Sequence, residues 1–370
     1  MTAMSTRLVV DNISKHYRNT RVLDGVSLSV EAGETVVVCG PSGAGKTVLL
    51  RLISGTSAPD SGDIRIDGAS VVGSGPEERD VGMAFQNFAL YPHLSAFENI
   101  ASPLRARGLA EAEIKAKVEA IAGLLRITHV LDHRPRQLSN GQKQRTALGR
   151  SLVRGPGVLL LDDPLRNVDA KLRYEMRLEL PRLLGSFGSA VIHVTQDYKE
   201  AMALGRRIAV LRGGRFEQVA SPGAVYGEPV NVEVARLFGD PTINLYPCRP
   251  EAVSGGAVAQ LFGQRVPLGA DAARFAGQEV LLGVRAEDVE VALEPVPGGV
   301  PVELDAVTPL NVRAVLYLRG RDGKELLATV AEDDASRFGR GHRAVWARMA
   351  PERFLVFDPA SGTRLLPAAA

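Results

Sequence analysis

Eight consecutive residues, Gly40, Pro41, Ser42, Gly43, Ala44, Gly45, Lys46 and Thr47, follow the order G-x-x-x-x-G-K-[ST]. Residues of these types in this order suit the holding of phosphate. Glycines let backbone N–H groups turn inward around phosphate oxygens. A helix that begins within the motif adds the partial positive charge of its N-terminus. Lys46 is placed to reach the β- and γ-phosphates of a nucleoside triphosphate, and Thr47 to ligate Mg²⁺. Far downstream, the apolar run 158–161 ends in two carboxylates, Asp162 and Asp163. Asp162 suits a Mg²⁺-associated carboxylate, and Asp163 stands where a base could act on an attacking water.

These groups need rigid elements to hold them. Thr35–Cys39 reads as a buried strand running into the glycine-rich turn, and 48–54 as the helix that follows. The runs 158–161 and 191–194 read as two more buried strands. Between them Ile114, Val118, Ile121 and Leu125 recur at helical spacing in a charged stretch, an amphipathic helix with an apolar core face. Strands alternating with helices predict a parallel sheet flanked by helices. The texture changes near Gly239, Asp240 and Pro241. Beyond it come short alternating segments, 279–284, 314–318, 325–330 and 353–357, with a hairpin signal at Asp322-Gly323. Short strands with little helix predict a small barrel of the oligonucleotide/oligosaccharide-binding type. We therefore expect two domains, 1–240 and 241–370, which a chain of 370 residues also favours.

Composition narrows the function classes. Hydrophobic residues make up 45% and charged residues 23%, the balance of a globular protein. A formal charge of +2 argues against a dedicated nucleic-acid binder. The two cysteines, Cys39 and Cys248, lie far apart in no metal-ligand spacing and read as reduced thiols of the cytoplasm. No apolar run approaches the roughly 20 residues that cross a bilayer. Residues 1–7 lack the apolar core of a signal peptide. Any service to a membrane is thus expected at its surface, through partner chains.

Leu138-Ser-Asn-Gly-Gln-Lys-Gln-Arg145 resembles the signature of the ATP-binding cassette family, L-S-G-G-Q at the start of a helix. Ser139, Gly141 and Gln142 match, and Asn140 replaces a glycine. The resemblance implies an α/β P-loop NTPase, a RecA-like core with a helical subdomain over about residues 87–150, working as a dimer that sandwiches two ATP. It implies that Ser139, Asn140, Gly141 and Gln142, with Asp169, serve the nucleotide of the opposite subunit. Tyr17 matches the ring that stacks on adenine, and Gln86 the glutamine that senses Mg²⁺ and the γ-phosphate. The metal set it implies is Thr47, Gln86 and Asp162, with ATP and Mg²⁺ as cofactors. In the tail, Gly283-Val-Arg-Ala-Glu-Asp288 and Pro351-Glu-Arg-Phe-Leu-Val-Phe-Asp358 look like motifs of the regulatory domain in carbohydrate-type importers, the group of the maltose, glycerol and glycerol phosphate systems. Ala286 stands where that group usually has proline.

Two departures fall on chemistry. The family's catalytic glutamate is Asp163 here, and its switch histidine is Gln196. Aspartate is one methylene shorter, and a base must come within about 2.6–3.2 Å of the group it deprotonates. Glutamine donates a hydrogen bond but carries no imidazolium charge. Losing one such contact typically costs on the order of 10²–10³ in rate. Either an altered but competent site still hydrolyses ATP, or the site is degenerate, as in heterodimeric members. Arg166 also replaces the usual serine near the interface, to an effect the sequence does not decide.

The resemblance therefore implies the energy-coupling subunit of an importer for a sugar, a polyol such as glycerol, or a sugar phosphate. It would lie on the cytoplasmic face of the membrane. Two transmembrane permease subunits, docked on residues 87–136, are the expected partners. So is a second, different ATPase, favoured over a homodimer because the damage falls on this chain's own site. A solute-binding protein takes part indirectly, and nucleic acid does not. The rivals are a regulatory nucleotide-binding partner without turnover, the ATPase of an iron or polyamine importer, and a soluble cassette acting on nucleic acid or ribosomes.

Overall fold

A computed structural model of the protein describes residues 6–85, 87–166, 170–310, 312–339 and 343–365, and only the backbone of residue 172. The chain forms two compact units, Met1–Pro222 and Gly223–Ala370.

In the first unit, strands β1 (Thr6–Tyr17) and β2 (Thr20–Glu31) form an antiparallel hairpin. With β4 (Ser61–Ile66) and β5 (Ala69–Ser70) they make a four-stranded sheet in the order β2-β1-β4-β5. The second sheet has six strands: β3 (Thr35–Cys39), β6 (Val81–Ala84), β7 (Val158–Asp162), β8 (Ala190–Thr195), β9 (Arg207–Arg212) and β10 (Arg215–Ala220). Their order is β10-β9-β3-β8-β7-β6, all parallel but for β10 at one edge. β7 and β8 are buried at every position, which is why they read as mostly apolar runs, with His193 the polar exception inside β8, instead of alternating ones. Register matters most for the site. Cys39 pairs with Thr195, and Asp162 with Val194, so β3, β7 and β8 end level at their carboxyl ends. Ligands of open α/β sheets bind just outside such ends.

Helix α1 (Lys46–Ser54) follows β3, and α2 (Ala96–Arg105), α3 (Glu111–Leu124) and α4 (Asn140–Leu152) form a helical layer. The periodic Ile114, Val118 and Ile121 of α3 are buried as expected. Gly149 of α4 lets the helices approach, for a Cβ there would stand 3.1–3.2 Å from Leu125, Ile100 and Ile121. Helices α5 (Ala170–Gly185) and α6 (Tyr198–Leu204) flank β8 in sequence.

The second unit is antiparallel throughout its sheets. One holds Asn244–Cys248, Val280–Val284 and Leu355–Phe357, and another Glu251–Val253, Gly256–Leu261 and Gln264–Leu268. The third holds Val289–Ala292, Val300–Leu310, Arg313–Arg319, Glu325–Ala331 and Arg343–Met349. Asp322-Gly323 lies in the predicted hairpin, with Gly323 left-handed at φ 77. Leu261, Val280, Leu282, Leu304, Leu316 and Val345 are fully buried in one apolar cluster.

The division at Pro222 lies upstream of the expected change at 239–241. Side-chain chemistry explains it. Val232 and Ala235, on helix Val232–Leu237, pack with Ile243 and Phe357 of the second unit. Buried Arg285 donates to Phe238 O and Tyr226 O, each at 2.5 Å, and lies 3.6 Å over the Tyr226 ring. These helical turns are therefore tied to the strands that follow them.

Candidate functional site

The cradle is built by backbone constraint. Gly40 tolerates no side chain, since a Cβ would sit 2.1 Å from Leu211 O of β9. Gly43 and Gly45 are left-handed at φ 80 and 102, a region that costs L side chains energy. Helix α1 starts at Lys46, so its unpaired N–H groups face the loop. The buried Lys46 ammonium donates to Gly40 O at 2.7 Å and Pro41 O at 2.8 Å. Burial pushes the Lys46 ammonium below its ordinary range, which an arriving anion would reverse.

The acidic pair meets the cradle from β7. Thr47 Oγ1 donates to Asp162 Oδ1 at 3.1 Å. Two hard oxygens at that separation fit adjacent corners of an octahedron with bonds of about 2.0–2.1 Å, the geometry Mg²⁺ demands. Mg²⁺ is commonly held by one or two protein groups plus substrate phosphates, and Thr47 with Asp162 fits that pattern. Asp163 follows at φ 45, its N–H donating to Val194 O at 3.0 Å. Burial raises the carboxyls of both Asp162 and Asp163. The Thr47 hydrogen bond opposes the rise at Asp162, whereas the charge of Glu200 adds to it at Asp163. A buried carboxylate with a raised proton affinity is the better base.

Gln196 sits just past β8 on a braced turn. Thr195 Oγ1 donates to Glu200 Oε2 at 2.9 Å and accepts from Asp197 N at 3.0 Å. Asp197 Oδ1 caps α6 by accepting from Lys199 N and Glu200 N. Arg177 of α5 holds the other Asp197 oxygen at 2.5 Å. One cavity of about 240 Å³ results, lined by Ser42, Gly43, Gly45, Lys46, Thr47, Asp162, Asp163 and Gln196. Val22, Val48, Val194 and Arg166 complete its wall.

The family profile described as ABC transporter matches residues 23–166, which span both the cradle and the acidic pair. Proteins called sn-glycerol-3-phosphate import ATP-binding protein UgpC are similar over nearly the whole chain. That of Cupriavidus pinatubonensis is 39% identical over 97% of this chain and 99% of its own. That of Paracoccus denitrificans is 39% identical over the same shares, 97% and 99%. This chain belongs to the ABC transporter family.

As a member it is an ATP hydrolase coupled to transport, and its first unit has the P-loop fold of the ABC ATPases. Among solved structures, the dimeric ATP-binding cassette MJ0796, in a post-hydrolysis state bound to ADP and Pi, superposes with a TM-score of 0.54. It is 29% identical and covers 58% of this chain and 98% of its own. CbiO1 of Clostridium perfringens, part of the transporter complex cbiONQ, gives a TM-score of 0.57 at 27% identity over 60% and 91%.

The signature of this ABC chain stands apart from its own cavity, whose lining it does not join. Ser139 caps α4, with its Oγ accepting from Gln142 N at 3.3 Å and its N–H donating to Gln142 Oε1 at 2.9 Å. Asn140 is the first residue of that helix and Gly141 is buried behind it. Tyr17 is half exposed at the end of β1, outside the lining, with Lys15 Nζ 5.6 Å from its ring. Ala44 lies buried behind the loop. Gln86 and Asp169 lie outside the described residues. Sequence reasoning missed Val22, which enters the wall because β2 runs beneath Gly45: a Cβ on Gly45 would stand 2.9 Å from Val22 O. It also missed the Glu200 and Arg177 brace. Its one sequence signal is Asp197, a helix cap before an acidic first turn.

Proposed function

We propose that this protein is the ATP-hydrolysing subunit of an importer for sn-glycerol-3-phosphate. The observation that carries the reading is the convergence of Lys46, Thr47, Asp162, Asp163 and Gln196 on one cavity, in a chain whose full-length relatives carry that solute in their names. In this account Mg²⁺-ATP lies in the cradle, with Thr47, Asp162 and Gln86 about the metal and Tyr17 against adenine. Ser139, Asn140, Gly141, Gln142 and Asp169 complete the nucleotide of a second cassette. Residues 87–136 dock two permease subunits at the cytoplasmic face of the membrane, and a solute-binding protein delivers the solute to them. The second unit, with its three antiparallel sheets around one core, acts as a regulatory barrel.

The expectation of a second, different ATPase rested on Asp163 and Gln196 alone, and nothing in the relatives supports it. We infer instead that two copies of this chain pair. An iron or polyamine importer is likewise disfavoured by the relatives' names. The test is uptake of labelled sn-glycerol-3-phosphate by cells that express the permeases but lack their ATPase. Wild-type chain should restore uptake and Lys46→Ala should not. Folded, membrane-associated chain that leaves uptake at background would overturn the solute assignment.

A further inference from the structure

The cavity contains a cation for which the signature residues of the family give no role. Arg166 is the fourth residue of a turn that begins at Asp163, closed by Arg166 N donating to Asp163 O at 3.3 Å. Asp163, left-handed at φ 45, starts this turn directly after β7. Arg173 of α5 then clamps it, its Nε donating to Leu165 O and its Nη2 to Arg166 O, both at 3.2 Å. The Arg166 side chain, half exposed, joins the cavity wall beside Asp163.

Arg166 Nη1 lies 3.8 Å from Asp163 Oδ2, beyond hydrogen-bond range. Among the described residues the guanidinium makes no other ionic contact. A guanidinium has five N–H donors in a planar fork that matches phosphate oxygens. The other cation of the cavity, Lys46, donates to Gly40 O and Pro41 O. Lys46 and Arg166 both line the cavity, so a polyanion held there would have a cation on two parts of its wall.

We propose that Arg166 reaches the terminal phosphate of the nucleotide bound by its own chain and supplies the positive charge that Gln196 lacks. The proposal rests on the reading that this cavity holds ATP. In hydrolysis, water oxygen bonds to the γ-phosphorus, the bond to the β,γ-bridging oxygen breaks, and ADP leaves with the electron pair. Asp163 takes the water's proton. Negative charge on the equatorial oxygens is what an arginine beside them stabilises, and such a group is worth about 10³–10⁵ in rate where it has been removed. Arg166 thus offsets part of the loss of an imidazole, and a dimer of identical chains keeps two slow but working sites.

The test uses the full chain with Arg166→Ser and Arg166→Lys, Mg²⁺ present, and a non-hydrolysable ATP analogue against ADP. Calorimetric titration should show Arg166→Ser losing about tenfold or more in affinity for the analogue with ADP unchanged. Its kcat should fall at least about tenfold, and Arg166→Lys should recover part of both. An unchanged analogue-to-ADP ratio overturns the phosphate contact, even if kcat falls, because the arginine would then act through Asp163. A faster Arg166→Ser overturns it too, since the guanidinium would be restraining the base. Wild-type chain that binds neither nucleotide removes the ATP reading itself, and the proposal with it.

Discussion

Thr47 and Asp162, 115 residues apart in sequence, share a hydrogen bond of 3.1 Å at the mouth of the cradle. The contact joins the first turn of α1 to the last residue of β7, and it brings together the two oxygens best suited to Mg²⁺. Thr47→Val keeps the branched shape and removes the oxygen. It should cost at least about tenfold in affinity for ATP with Mg²⁺ and little without, as loss of a ligand contact requires. Fluorescent-nucleotide titration with and without the metal checks this, and equal losses in both would place Mg²⁺ elsewhere.

Gly40 carries a constraint that no nucleotide explains. A methyl there meets Leu211 O at 2.1 Å, a backbone atom that cannot rotate away. Gly40→Ala should destabilise by roughly 1–3 kcal/mol or more through overpacking. Thermal unfolding without nucleotide measures it, and an unchanged midpoint would refute the close approach of β9.

Beneath the same sheet, Arg207 holds the buried Glu34 with two hydrogen bonds, Nε to Oε1 at 2.6 Å and Nη2 to Oε2 at 2.9 Å. Burial alone would raise the Glu34 carboxyl, but these bonds and the Glu31 N–H outweigh it and hold the group below its ordinary value of 4.5. A depressed carboxyl stabilises the fold above pH 4.5, and that gain is lost as pH falls through the folded value. Glu34→Gln should therefore unfold at lower temperature than wild type at pH 7, with the gap closing as pH falls below 4.5 and through the folded value. A gap that persists at acid pH would mean packing, not charge, sets the effect.

Much of this was legible in the sequence because the elements that matter are local. Thr35–Cys39, the glycine motif and α1 follow one another directly, and the strands buried on both faces read as plain apolar runs. β1 was missed because register shifts and exposed polar residues break its alternation, whereas β2, which alternates over residues 26–30, carried a signal that went unread. The division at Pro222 was not legible for a different reason. Arg285 reaches Tyr226 and Phe238, 59 and 47 residues away, and no local pattern reports such a contact. Arg166 was visible as a departure but had no direction until the turn at Asp163 gave it one.

Restoring the consensus groups tests how far Asp163 and Gln196 limit the rate. Asp163→Glu with Gln196→His extends the base and returns an imidazole to the turn that Thr195, Asp197 and Glu200 brace. Turnover of the isolated protein should rise at least about tenfold, the recovery expected of one positioned catalytic group. Unchanged turnover would show that the native pair, with its neighbours, already suffices.

The most direct measurement is steady-state phosphate release by the purified chain, with Mg²⁺ and ATP, beside Lys46→Ala. Lys46 donates to the loop carbonyls of Gly40 and Pro41 and lines the cavity, so its removal should leave the fold and abolish binding. Saturable, Mg²⁺-dependent turnover by wild type, absent in Lys46→Ala, is the predicted result. Wild-type chain that binds ATP yet releases no more phosphate than Lys46→Ala would contradict the account.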